Sequence, residues 1–188
     1  MTRPESPPDS VRGPRVILRR LRMADLLPML EAIDTSRDHL APWMAWAQTP
    51  PTEESVLSFL RPAITTFDYS GDVSYGITLP DDTLVGVCSL MPRVGPRAQE
   101  LGYWVDVRHV GRGIATETVG LLTTVGFALP TTQRLEIHCD HANHRSAAVA
   151  RRAGFSLDRI EDGAPKAPGH TGRSMIWVLH RDEWARRG

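Results

Sequence analysis

The sequence predicts a single α/β domain built on one sheet. Strand-type and helix-type runs alternate along the chain, the pattern of a sheet covered by helices. A length of 188 residues suits one compact domain with a sizeable core. The composition, 41% hydrophobic with 22 basic and 22 acidic residues, belongs to a globular chain rather than a disordered one. That charge balance also argues against broad electrostatic binding to nucleic acid.

Each element follows from its local pattern. Residues 1–14, MTRPESPPDSVRGP, are polar and proline-rich without the apolar stretch of a signal peptide. They are expected to form a flexible arm ahead of one domain spanning 15–188. RVILRRLR (15–22) is the first strand. Met23 then opens a helix with Leu26, Leu30 and Ile33 at helical spacing and Pro28 in its first turn. Trp43 and Trp46, in HLAPWMAW (39–46), predict a helical segment packing an aromatic face into the core. Thr52, ahead of Glu53 and Glu54, starts another helix with Val56, Leu57, Leu60 and Ile64 as its buried stripe, broken or bent near Pro62. VSYGITL and TLVGVCSLM are strands joined by a turn at Pro80-Asp81-Asp82. AQELGYWVDV (98–107) is the next strand. Ile114, Thr118, Leu121, Leu122, Val125 and Leu129 mark one face of a helix ending at Pro130. RLEIHCD (134–140) is a strand, and Arg145 to Ala153 a short helix stopped by Gly154. FSLDRI (155–160) and SMIWVLH (174–180) complete the sheet, with the glycine- and proline-rich EDGAPKAPGHTG between them.

The stretch RHVGRGIAT (108–116), between a strand and a helix, carries the chemistry. Gly111 and Gly113 let backbone N–H groups approach an anion closely, and the helix behind them adds unpaired donors and the positive end of its dipole. A pyrophosphate is the fitting ligand. A Walker A loop is excluded because Ile114, not lysine, follows Gly113; the dinucleotide fingerprint is excluded because Thr116 replaces its third glycine.

The pattern Arg-x-x-Gly-x-Gly followed by Ile-Ala-Thr-Glu resembles the acetyl-CoA pyrophosphate loop of the GNAT acyltransferases. With LGYWVDV before it and ANHRSAAVARRAGF after it, the chain is similar to the RimJ/RimL branch, the ribosomal-protein N-terminal acetyltransferases, from about Arg15 to Trp184. The resemblance implies a twisted, mostly antiparallel sheet with helices on both faces, whose central strands, 98–107 and 134–140, splay apart to admit acyl-CoA. Its cosubstrate would be acetyl-CoA, with no metal. The acceptor would be a primary amine, and the implied assembly a homodimer.

That reaction needs a proton acceptor for the amine, an oxyanion donor and a group for the departing thiolate. Glu100 is the candidate base; it shares a strand face with Gly102 and Trp104, and its structural alternative is an ion pair with Arg93 or Arg97. Ser146 is the candidate for the thiolate, near the start of a helix opened by Asn143, and its alternative is a capping role. Many GNAT enzymes place a tyrosine four residues before the terminal Gly-Phe; here that position is Ala150. Backbone groups of Trp104, Val105, Asp106 and Val107 would serve the oxyanion and pair with pantetheine. Arg108, His109, Val110, Gly111, Arg112, Gly113, Ile114, Ala115 and Thr116 would form the phosphate loop, and Asn143 would cap the helix or hold the pantetheine arm. The segment around Trp43 and Trp46 is alternatively a cover for the acceptor pocket, as in similar enzymes, with Tyr69, Tyr75 and Tyr103 as unassigned polar handles.

Other functions receive less support. His138, His141 and His144 lie near Cys139 and Asp140 but fit no zinc spacing. The two cysteines, Cys88 and Cys139, form no CxxC and fit a reducing cytoplasm. No run reaches the roughly 20 apolar residues of a membrane span. A protein or peptide N-terminus is the leading acceptor class. Small amines or aminoglycosides, succinyl transfer, and a non-catalytic acyl-CoA-binding module remain open.

Overall fold

The computed structural model describes residues 6–68 and 71–187. Among them, eight strands form one sheet: β1 (Ser10–Arg12), β2 (Ile17–Arg20), β3 (Val73–Thr78), β4 (Leu84–Met91), β5 (Ala98–Val105), β6 (Arg134–Asp140), β7 (Ser156–Asp162) and β8 (Arg173–His180). Their order is β1-β2-β3-β4-β5-β6-β8-β7. Every pairing is antiparallel except β5 with β6. The helices are α1 (Leu26–Leu40), α2 (Glu53–Thr65), α3 (Ile114–Ala128), α4 (His144–Arg152) and the short α5 (Arg181–Ala185).

Two apolar clusters clamp the sheet. On one face, Leu122 and Val125 of α3 and Val149 of α4 bury themselves with Leu101, Leu135 and Ile137. On the other, Met29 and Ile33 of α1 and Val56 and Leu60 of α2 pack with Leu84 and Val87, and Trp104 leans on them. Each fully buried large aliphatic is worth about 1.5–3 kcal/mol, so both helical layers are held without help from the site.

Local chemistry sets the boundaries. Pro28 is tolerated in α1 because the first turn has no intrahelical acceptors for its N–H groups. Thr52 accepts from the Ser55 amide at 3.1 Å, and Ser55 Oγ accepts from the Thr52 amide at 2.9 Å, a capping box that starts α2. That helix does not break at Pro62 but runs on to Thr65, with buried Leu60 and Ala63 on either side offsetting one missing bond. Gly154, at φ +91°, closes α4 as expected.

Two expectations are corrected. The polar composition of residues 1–14 suggested a loose arm, yet Ser10–Arg12 pair with Ile17–Arg19 as the sheet's edge strand, and Tyr75 donates its hydroxyl to the Pro8 carbonyl at 2.8 Å. Trp43 and Trp46 do not form an inward aromatic face. α1 stops at Leu40, and Trp46 sits at 48% exposure on a short helical turn at Ala45–Gln48. The closing strand ends at His180 as expected, and Arg181–Ala185 turn into α5, placing Trp184 against Phe127.

Candidate active site

The pairing of β5 with β6 covers only three positions, Ala98 with Arg134, Gln99 with Leu135 and Glu100 with Glu136. Beyond them the strands separate while each keeps its outer partner. This is the expected splay. A cleft of about 1070 Å³ opens there, reaching Trp43, Trp46 and Trp104 at one end and Cys139, Asn143 and Ser146 at the other.

The exposed edge of β5 narrows the choice of oxyanion donor. The Asp106 amide donates to Val85 O at 2.8 Å, and the Val107 amide to Ser36 Oγ of α1 at 2.9 Å. Asp106 thus points back to β4, and strand alternation turns Trp104 the same way and Val105 toward the gap. Gly86 of β4 permits this close pairing, since a Cβ there would stand 2.2 Å from Trp104 O. Of the four residues considered, the Val105 amide is the one facing the splay.

The glycine loop adopts left-handed backbone at both glycines. Gly111 and Gly113 adopt φ +76° and +79°, and a Cβ at either would meet nothing within 4 Å. Conformation, not crowding, therefore calls for glycine. The loop opens directly onto the first turn of α3, where Ile114, Ala115 and Thr116 have amides without intrahelical acceptors. Arg112 and Val110 are exposed, whereas His109 is half-buried. Arg108 is committed elsewhere: its guanidinium engages Asp106 at 2.6 Å and Glu31 at 2.7 Å. Burial would push the Asp106 carboxyl up, but its bonds from the Arg108 side chain and amide hold it below the usual carboxylate range. What the loop can offer an anion is thus its backbone amides and the helix end.

Asn143 caps α4, accepting from the Ser146 amide at 3.0 Å. The Ser146 hydroxyl in turn lies 3.0 Å from Tyr103 Oη. Burial pushes the Tyr103 phenol up to about 12, although its bond to Ser146 acts the other way. Tyr103 had been considered for the acceptor side. Period-two alternation from Gly102 and Trp104 sends it to the opposite face, beside Ser146. Tyr75 is fully buried, with burial pushing its phenol up, and so is no acceptor handle; Tyr69 lies outside the described residues. Cys139 is also raised by burial, which disfavours a thiolate nucleophile.

Glu100 lines the cleft, but Arg93 forks it, with Nε and Nη2 each 2.7 Å from a different carboxylate oxygen. The ion-pair alternative is therefore what this geometry contains, and Arg97 is not the partner. On β6, alternation brings Glu136 and His138 to the same face, with His138 Nε2 2.6 Å from Glu136 Oε2. Sequence reasoning weighed His138 only as a metal ligand; its i, i+2 spacing from Glu136 within one strand was the signal for a dyad. Among the described residues no three His, Cys, Asp or Glu side chains gather to hold a metal ion.

Trp43 stacks with His170 at 6.5 Å between ring centroids, and Trp46 meets Trp104 at 6.0 Å, so the aromatic segment roofs the cleft. No described helix is long and apolar enough to cross a membrane.

Comparison with known families settles the class. The model of the acetyltransferase (GNAT) domain matches residues 15–156. The chain belongs to the GNAT acetyltransferase family. It is an acetyl-CoA-dependent N-acetyltransferase whose relatives lie in the Rim-like branch. The ribosomal-protein-serine acetyltransferase of Escherichia coli (strain K12) is 27% identical over 133 residues, 70% of this chain and 73% of its own. RimL, the ribosomal L7/L12 alpha-N-protein acetyltransferase solved in complex with coenzyme A, matches with a TM-score of 0.82 at 22% identity, covering 95% of this chain and 99% of its own. MccE, the microcin C7 self-immunity acetyltransferase solved with acetyl-CoA and AMP, matches at 0.83 with 19% identity, covering 92% and 97%. These two structures share the GNAT fold with this chain.

Proposed function

We propose that this GNAT enzyme transfers the acetyl group of acetyl-CoA to the α-amine of a protein or peptide, by direct attack in a ternary complex. The observation that carries the reading is the splay. It opens beside Asn143 and Ser146 and leads into a cleft lined by Glu100, Trp104 and His138. The likeness to a ribosomal-protein-serine acetyltransferase supports the N-terminal acceptor. The free, buried Cys88 and Cys139 fit a reducing cytoplasm.

In this mechanism the amides of the glycine loop and of Ile114, Ala115 and Thr116 hold the pyrophosphate. Val105 and its neighbours on the free β5 edge pair with pantetheine, and Asn143 orders the turn beside it. The amine nitrogen attacks the thioester carbon, and the Val105 N–H donates to the oxygen as it gains charge. When the C–S bond breaks, Ser146 donates to the departing sulfur, with Tyr103 replenishing it. Glu100 meets the cationic acceptor; acting as base itself would require it to give up one of the two charge-assisted bonds from Arg93.

Incubating the protein with acetyl-CoA and lysine-containing peptides with free or blocked α-amines tests the acceptor class. Acetylation confined to the free α-amine, read by fragmentation mass spectrometry, is the expected result. Transfer to lysine side chains, or only to small amines or aminoglycosides, would overturn the N-terminal assignment while keeping the acetyltransferase.

A further inference from the structure

We propose that His138, held by the buried Glu136, is the group that takes the proton from the attacking amine. The inference rests on the transferase reading above and concerns the acceptor face of the same splay.

The argument begins with strand register. Glu100 and Glu136 are the last paired residues of β5 and β6, so two residues further His138 stands across the opening gap from Gly102. Gly102 has no side chain of its own there; the flexible Met91 side chain of β4 lies over it, its Cε 2.9 Å from where a Cβ would stand. Alternation puts His138 on the face of Glu100 and Trp104, away from Tyr103 and Ser146. The imidazole is partly open, with 29% side-chain exposure, and lines the cleft.

Behind it, Glu136 is 1% exposed. One of its oxygens accepts from Arg134 Nε at 2.6 Å, and the other faces His138 Nε2 at 2.6 Å. A carboxylate paired with Arg134 only accepts, so Nε2 carries the hydrogen and Nδ1 is left as an acceptor. This is the arrangement in which a carboxylate fixes the tautomer of an imidazole and stabilises its protonated form.

The surroundings leave that role to His138. From β5, Glu100 is forked by Arg93. On β6 itself, Asp140 accepts from the Ala142 amide and from Thr171. In the adjoining rows β8 presents Ile176, and on β7 Arg159 is occupied by Asp158 and Glu161. Lys166 and His170 reach the cleft from the loop between β7 and β8, and His170 Nε2 lies 3.1 Å from Trp43 O. The residues of α1 and α2 lining the cleft carry no charge.

The proton account closes. Free amine and ammonium exchange in the cleft; as the N–C bond forms, His138 Nδ1 takes the nitrogen's proton and becomes imidazolium beside Glu136. On the opposite face the sulfur leaves as a thiolate with the electrons of the C–S bond, held by the hydrogen bond from Ser146, and takes its proton from solvent. The imidazolium then loses its proton to solvent through the cleft.

The test uses the full chain, acetyl-CoA, and a pool of short peptides with free α-amines, followed by thiol release. His138→Asn keeps a donor for Glu136 but cannot titrate, and should bind acetyl-CoA like the wild type in calorimetry. Its turnover should fall about 100-fold, in the range of one lost general base. The acidic limb of its kcat/KM profile should disappear. Glu136→Gln removes the carboxylate that fixes the ring's tautomer, so turnover should fall while acetyl-CoA affinity holds. His138→Gln, with matching thermal melts, guards against a folding artefact. A His138→Asn enzyme that keeps both rate and limb, with the limb lost in Glu100→Gln instead, would overturn the proposal and leave the transferase intact. Wild-type protein that binds acetyl-CoA but releases no thiol with any amine would sink the transferase reading and this one with it.

Discussion

At the scale of single residues, the two hydroxyls on the donor face form one device. Tyr103 reaches Ser146 from β5, and its phenol, raised by burial, stays a donor through the neutral and mildly alkaline range. Ser146→Ala should lower kcat by about 10²-fold, the size of a lost preorganised donor. Tyr103→Phe should cost about tenfold, one hydrogen bond's worth acting through its neighbour. Neither should change acetyl-CoA affinity, since the pyrophosphate is held elsewhere. In the double variant the Tyr103 penalty should vanish, because a side chain working through Ser146 has nothing left to act on. Additive losses in that cycle would separate the two residues. Part of this was legible in the chain. Ser146 and Asn143 follow from Asn-x-x-Ser at a helix start, whereas Tyr103 required strict alternation to be carried through the GYW triplet. The attachment of Ser36 to the Val107 amide has no local signal, because the two lie 71 positions apart.

At the scale of elements, the turn after β5 is set by an ion pair rather than by the ligand. Asp106 is fully buried, accepts from the Arg108 amide and side chain, and thereby directs the chain into the glycine loop. Its carboxyl is held below the ordinary range, so its stabilising contribution is present above that range and is lost as pH falls through the lower folded value. Asp106→Asn should therefore lower the melting temperature in neutral buffer, and the gap from wild type should close on acidification. An unchanged gap across that titration would mean that charge is not what Asp106 contributes. The elements themselves were mostly readable, since β6 and the β3–β4 hairpin follow from alternation and turn chemistry. Composition misled at the start of the chain, where Ser10–Arg12 became a strand because β2 offered a free edge. Pro62 likewise lost to the packing of Leu60 and Ala63.

At the scale of the whole molecule, the sheet divides the reaction. The face toward α3 and α4 carries the phosphate loop, Ser146 and Tyr103; the face toward α1 and α2 carries Trp104, Glu100 and the His138–Glu136 pair. The two meet only where β5 and β6 part. A thioester threaded through that opening would present its carbonyl to the acceptor while its sulfur stayed on the donor face. The motif at 108–116 is the sequence signal for one half of the proposed site. The other half depends on long-range register between strands some thirty residues apart, which local patterns do not encode. The most direct test of the account is a calorimetric titration of wild type and Gly113→Val with acetyl-CoA, followed by thiol release in the presence of free-α-amine peptides. A valine at φ +79° strains the loop by roughly 1–3 kcal/mol or displaces it. Binding should therefore fall at least tenfold in a protein that still folds, while the wild type binds acetyl-CoA and releases thiol only when an amine is present. Equal affinity in the two proteins, or no binding in either, would contradict the assignment of the glycine loop and with it the mechanism built on the splay.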